Sequence, residues 1–242
     1  MLTDLADWRA GMGAVGATGL ASAGLLILAL PESRRFAARA PNLPALWTSL
    51  IGHFADPGLR LLFLTAFLAM GGFVCVYNCM GFRLLAPPFL LSQTTIGLVF
   101  ILYLVGMVAS PAMGDLAGRF GRRKVLWIAA AMMLAGAAAT LPDNLLSILF
   151  GVALITAGFF GAHSIASSWV GLRAENAKAQ ASALYLFFYY LGSSLVGTLG
   201  GWFFSRAGWP GVVALVAALS GGALAAAPRL ARVPPPRHLA KN

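Results

Sequence analysis

The sequence predicts an all-α protein, a polytopic transmembrane helical bundle of seven spans, and three observations predict it. Of the 242 residues, 60% are hydrophobic and 10% charged, where a soluble domain has roughly 45–50% and about 25%. The apolar residues gather in blocks near the ~20 residues that a helix needs to cross a hydrocarbon layer of about 30 Å. A membrane barrel would instead give short alternating segments. Almost every charge lies between the blocks, so the formal net charge of +10 belongs to the connections and not to the spans.

Taken in order, the spans are expected at Gly11–Leu30, Leu59–Met80, Thr95–Gly114, Val125–Leu141, Leu145–Ser164, Ala181–Phe203 and Gly211–Ala227. The start, Met1 to Arg9, carries Asp4 and Asp7 in place of a basic n-region and does not read as a cleaved signal peptide. Between the first two spans, Pro31 to Gly58 has its own amphipathic helix, with Leu43, Leu46, Trp47, Leu50, Ile51 and Phe54 on one face. That pattern suits a helix lying on the membrane surface. Asp56 and Pro57 supply an N-cap and a first-turn proline for the next span. Gly81 to Gln93 contains Pro87-Pro88 and cannot be helical throughout. Pro142-Asp143-Asn144 and Arg206 to Pro210 read as tight turns. Cys75 and Cys79, inside one span, read as buried thiols.

Orientation follows from the 17 Lys and Arg residues, because basic loops stay on the cytoplasmic side. One set of connections holds fourteen of them, including Arg34, Arg35, Arg60, Arg119, Arg122, Arg123, Lys124 and Arg173; the other holds Arg9, Arg83 and Arg206. The N-terminus is therefore expected outside (periplasmic) and the C-terminus inside, and the basic balance needs no nucleic acid as partner.

The most informative stretch is Gly114-Asp115-Leu116-Ala117-Gly118-Arg119-Phe120-Gly121-Arg122-Arg123-Lys124-Val125-Leu126. Its glycines permit a tight turn between two spans, and its cations suit helix C-termini and anionic membrane lipid. Here the chain resembles the major facilitator superfamily, whose signature loop reads roughly Gly-x-Leu-Ala-Asp-Arg-x-Gly-Arg-Arg-x-x-Leu. Gly114, Leu116, Ala117, Arg119, Gly121, Arg122, Arg123 and Leu126 match it, while Gly118 stands where the family has an acid. Leu30-Pro31-Glu32-Ser33 resembles the run that closes the sixth helix of many such transporters, and Gly158 to Gly192 resembles the bacterial drug- or sugar-efflux members. The resemblance implies a division into residues 1–30, the last helix of a missing N-terminal helical bundle; 31–58, a cytoplasmic linker; 59–227, a C-terminal six-helix domain; and 228–242, a cytoplasmic tail. It implies that Gly114, Asp115, Gly118, Arg119, Gly121, Arg122 and Arg123 form a conformational latch, weakened where Gly118 replaces the acid unless Asp115 substitutes for it.

Polar groups inside a bilayer are costly enough to need a reason. Tyr77 and Asn78, Tyr103, His163, and Tyr185, Tyr189 and Ser193 on one helix face are candidates to line a cavity for an amphipathic small-molecule substrate. The alternative for each is interfacial anchoring or an interhelical hydrogen bond. His163 is a candidate proton carrier, although no Asp or Glu lies within any expected span. Gly13, Ala17 and Ala21, and likewise Gly197 and Gly201, have the four-residue spacing of close helix packing. No catalytic set, metal-ligand cluster, cofactor motif or phosphate loop is found, so no enzyme is expected. Two function classes remain. One is a secondary transporter of the inner membrane, a proton-coupled efflux antiporter. The other is a seven-helix receptor or photoreceptor, and against a retinal-binding photoreceptor the last span offers no lysine for a Schiff base; an inactive transporter fragment is a third possibility.

Overall fold

The computed structural model describes residues 8–31, 42–174 and 176–234. Asp4, Asp7, Glu32 to Arg35 and the tail from residue 235 lie outside the described residues. The chain divides into two units, Met1–Asn42 and Leu43–Asn242. The first contains α1, Trp8–Ala29. The hydroxyls of Thr18 and Ser22 donate to the carbonyls of Ala14 and Thr18 at 2.8 Å. This lets both residues sit in an otherwise apolar helix.

The second unit contains α2 (Leu43–Ala55), α3 (Pro57–Leu85), α4 (Gln93–Leu98), α5 (Tyr103–Phe120), α6 (Arg122–Ala139), α7 (Leu145–Arg173) and α8 (Lys178–Arg232). A 3-10 segment, Val99–Leu102, joins α4 to α5. Among the described residues every regular element is helical. The caps follow the sequence: Asp56 accepts from the Leu59 amide at 2.9 Å, and Asn144 accepts from Ser147 at 3.0 Å.

Five described helices are long and apolar enough to cross a membrane: Arg9–Ala29, Pro57–Leu85, Gln93–Phe120, Leu145–Arg173 and Lys178–Leu230. The last has 53 residues, roughly 80 Å of helix and more than twice a bilayer core. It breaks at Gly208, where φ is 61° and ψ is −152°. A Cβ on Gly211 would lie 2.7 Å from the Phe203 carbonyl oxygen. A straight helix would hold those residues about 12 Å apart, so the chain reverses there. Close approaches to α3 give the directions. Gly71 meets Val196 and Gly200 meets Cys75, a rising pairing, whereas Gly72 meets Val216 and Gly222 meets Leu68, a falling one. Residues 178–207 therefore run parallel to α3 and residues 209–232 antiparallel to it. The 18-residue α6 starts with three cations and is apolar from Val125 onward. With α6 and the two arms of α8 counted, the helices give the seven crossings that the composition predicts.

Small residues set the helix spacing. A Cβ on Gly136 would lie 2.6 Å from the Gly151 carbonyl oxygen, and one on Gly158 would lie 2.5 Å from that of Ala129. These contacts hold α6 and α7 antiparallel at backbone contact. Around them Leu62, Phe63, Leu84, Leu126, Met133, Ile148 and Ile155 are fully buried. The expected packing pair is corrected by one residue. A Cβ on Gly197 would lie 3.3 Å from Val74, whereas one on Gly201 would meet open space, and Gly200 is the residue pressed against α3, where a Cβ would lie 2.5 Å from Cys75 Sγ. A Cβ on Gly13 would meet no neighbouring atom within 4 Å. Cys75 and Cys79 are free and buried.

Candidate functional site

The helices extend beyond their expected ends, and this changes the setting of the polar side chains. His163, expected at the end of a span, lies in the interior of α7, and Tyr77 lies in the interior of α3. From those positions they join one aromatic and polar cluster. Tyr77 and Tyr103 are 4.9 Å apart, Phe73 and Tyr103 5.4 Å, and Phe73 stacks on Phe159 at 4.1 Å. Phe159 leads to His163 at 6.1 Å, and His163 lies 4.9 Å from Tyr189 and 5.6 Å from Tyr185, all between ring centroids. Gly106 makes room for it: without a Cβ, α5 approaches the Phe160 ring, which stands edge-on to Tyr103.

Two hydrogen bonds fix the cluster. Thr156 donates to the Val152 carbonyl at 2.8 Å, so the Tyr77 hydroxyl, 2.9 Å from Thr156 Oγ1, is the donor in that contact. The Tyr185 hydroxyl stands 3.1 Å from His163 Nδ1. Tyr185 and Tyr77 are buried, whereas Tyr103 is 37% exposed, and His163 and Tyr189 are half-buried. The cluster thus has an anchored floor and an open face. Two expected members are elsewhere. Asn78 is exposed and lies beside Gly197. The Ser193 hydroxyl, one turn past Tyr189, makes no hydrogen bond among the described residues.

Ion pairs mark opposite ends of the bundle. At one end Arg173 Nε donates to Asp56 at 2.6 Å and Nη1 to the Pro234 carbonyl at 3.1 Å. Gly58 accommodates this guanidinium at the start of α3. At the other end Arg83, 7% exposed, reaches the turn between α6 and α7. It donates to the carbonyls of Thr140, Leu141 and Pro142 and to Asp143, with its guanidinium 4.8 Å from the Trp209 ring. Trp209 in turn donates to Thr140 Oγ1 at 3.0 Å. Sequence reasoning placed Arg83 among loop cations; the signal it lacked was the neighbouring turn, full of carbonyls.

The signature stretch is corrected as well. It is not a loop. Gly114, Asp115, Gly118 and Arg119 belong to the last turns of α5, Arg122 and Arg123 start α6, and Gly121 alone, at φ 92°, makes the turn. Gly114 and Gly118 have no atom within 4 Å of a Cβ position. The side chains of Asp115, Arg119, Arg122 and Arg123 make no ion pair or hydrogen bond among the described residues. A cavity of about 390 Å³ lies beside the break, lined by Phe120 to Lys124 and Trp169.

Known proteins are similar to the chain over most of its length. The chain is 45% identical over 232 residues to "Inner membrane transport protein YnfM" of Escherichia coli, covering 96% of this chain and 56% of that protein. It is 43% identical over 216 residues to "Uncharacterized MFS-type transporter YybF" of Bacillus subtilis, covering 89% and 54%. An "Uncharacterized transporter" of Buchnera aphidicola (Schizaphis graminum) is 37% identical, covering 89% and 52%. The chain spans about half the length of the curated relatives it matches. The profile described as Major Facilitator Superfamily matches residues 62–242, and with the helical bundle, the Gly121 turn and these relatives in hand, the chain belongs to the Major Facilitator Superfamily.

Proposed function

We propose that this chain forms one bundle of a secondary transporter of the bacterial inner membrane, which moves a small amphipathic solute by alternating access and exports it against an inward flow of protons. The aromatic cluster carries the proposal. Its rings offer apolar faces to a solute, its hydroxyls and imidazole offer polar tips, and Tyr103 and Tyr189 remain accessible on its open face. Residues 59–227 form the C-terminal bundle, 1–30 the last helix of the other, 31–58 the cytoplasmic linker and 228–242 the tail. The fourteen basic residues of one set of connections support a periplasmic N-terminus and a cytoplasmic C-terminus. The stretch from Gly114 to Arg123 is the cytoplasmic latch, and its open glycines receive the other bundle in one of the two states.

The described acids Asp56, Asp115 and Asp143 lie at helix ends. The proton therefore travels through His163 or through an acid of the other bundle. The test is solute accumulation in cells expressing this chain with and without five further spans fused ahead of it, which with residues 1–30 make up a six-helix N-terminal bundle. The fused form is expected to lower accumulation and the chain alone is not. Alanine at Tyr103 or Tyr189 in the fused form should cut export about tenfold or more. Unchanged export in both variants would remove the cluster from the pathway, and export by the chain alone would overturn the one-bundle reading.

A further inference from the structure

A groove of about 580 Å³ runs between the start of α6 and the end of α8, lined by Arg123, Lys124, Trp127, Ile128, Ala227 and Pro228. Its composition is divided by height. Two cations stand at one rim, and below them the wall is apolar, with Trp127 50% and Ile128 46% exposed. Neither helix that forms the groove contains a single Asp or Glu. The α8 side adds Arg229 and Arg232 in its last turn, and the side chains of Arg123 and Lys124 make no ion pair or hydrogen bond among the described residues. Nothing within these two helices can neutralise the rim.

We propose that this groove holds one anionic phospholipid, with its phosphate between Arg123 and Lys124 and its first acyl chain along Trp127, Ile128 and Ala227. Charge complementarity names the headgroup. Clustered cations beside a span attract anionic lipid, each contributing about 1 kcal/mol near the surface. The apolar wall names the rest of the ligand. Free phosphate would use the cations and leave the Trp127 face wet, whereas a lipid uses both, and an indole with an apolar body and an N–H suits that boundary. A zwitterionic lipid carries its own cation, which the acid-free rim repels. The inference does not depend on transport, so it stands or fails apart from the proposed function.

The experiment uses the full chain in lipid nanodiscs and the fluorescence of Trp127, isolated as the difference between wild type and Trp127→Phe. Phosphatidylglycerol with brominated acyl chains is titrated into phosphatidylcholine discs and compared with brominated phosphatidylcholine. Saturable quenching of Trp127 by the brominated phosphatidylglycerol alone is expected. Arg123→Gln/Lys124→Gln should raise the half-saturating fraction on the order of tenfold or more. Arg60→Gln/Arg206→Gln removes the same charge from other parts of the bundle and should leave it unchanged. Equal quenching by the two lipids, or equal loss in the two double variants, would reduce the effect to general surface charge and overturn the proposal. Displacement of the quencher by millimolar inorganic phosphate would assign the rim to free phosphate instead.

Discussion

At the scale of single residues, Arg83 shows how a membrane protein uses a cation where hydration is scarce. Its guanidinium fans out to three backbone carbonyls and one carboxylate, so the turn between α6 and α7 is tied to the end of α3. Asp143 is 70% exposed, and an exposed pair contributes at most about 1 kcal/mol. The carbonyls matter more, since an unsatisfied buried acceptor costs about 1–3 kcal/mol. Arg83→Ala should therefore lower stability by about 3 kcal/mol in denaturant titration of the micellar protein, and Asp143→Asn by less than about 1 kcal/mol. Similar losses in the two variants would place the lock in the ion pair instead. The bond between Tyr77 and Thr156 is a smaller case. Hydrogen bonds between spans average about 0.6 kcal/mol, and a double-mutant cycle of Tyr77→Phe with Thr156→Val should return a coupling of that size. The individual polar residues were legible in the sequence because tyrosine and histidine stand out in an apolar run. Their partners were not: Thr156 and the carbonyls of 140–142 carry no distinguishing signal until the helices are paired.

At the scale of elements, the fold class and the number of crossings were legible because apolar length and charge position are one-dimensional. The Asp56 cap and the break at Pro87-Pro88 were legible for the same reason. Helix ends were less so. The signature stretch reads as a loop by its glycines, yet Gly114 and Gly118 remain helical because i to i−4 bonding tolerates a glycine; only Gly121 leaves the helix. The three glycines should consequently respond differently. Gly121→Ala forces a side chain into a backbone region used almost only by glycine and should cost about 1–3 kcal/mol. Gly118→Ala, with open space around it, should be neutral or stabilise this chain by up to about 1 kcal/mol. Thermal unfolding of both variants reads the difference. The seam between α3 and α8 offers a coupled test. Gly200→Ala meets Cys75 Sγ at 2.5 Å and should cost about 1–3 kcal/mol. Cys75→Ala removes that sulfur, so the double variant should recover part of the loss, and simple additivity would show that the helices separate instead of clashing.

At the scale of the whole molecule, the chain spans about half the length of its relatives, and its second unit is a packed helical bundle. Its exposed apolar residues include Phe100, Ile101, Leu104, Met107 and Val108 on or just before α5 and Phe187, Leu195 and Trp202 on α8. That surface fits both lipid and a second bundle. Fusing a second bundle is expected to protect part of it, and cysteine-accessibility labelling at Met107 and Leu195 in the fused and unfused forms would read which residues become shielded. The sequence could not divide that surface between the two neighbours, because a hydrocarbon tail and an apolar helix select the same residue types. One consequence belongs to the joint at Gly121. Two rods connected through a single residue have only that residue's φ and ψ between them. With no spare chain at the pivot, a displacement of the end carrying Gly114 and Arg119 passes to the start of α6 at Arg122 instead of being taken up by a loop.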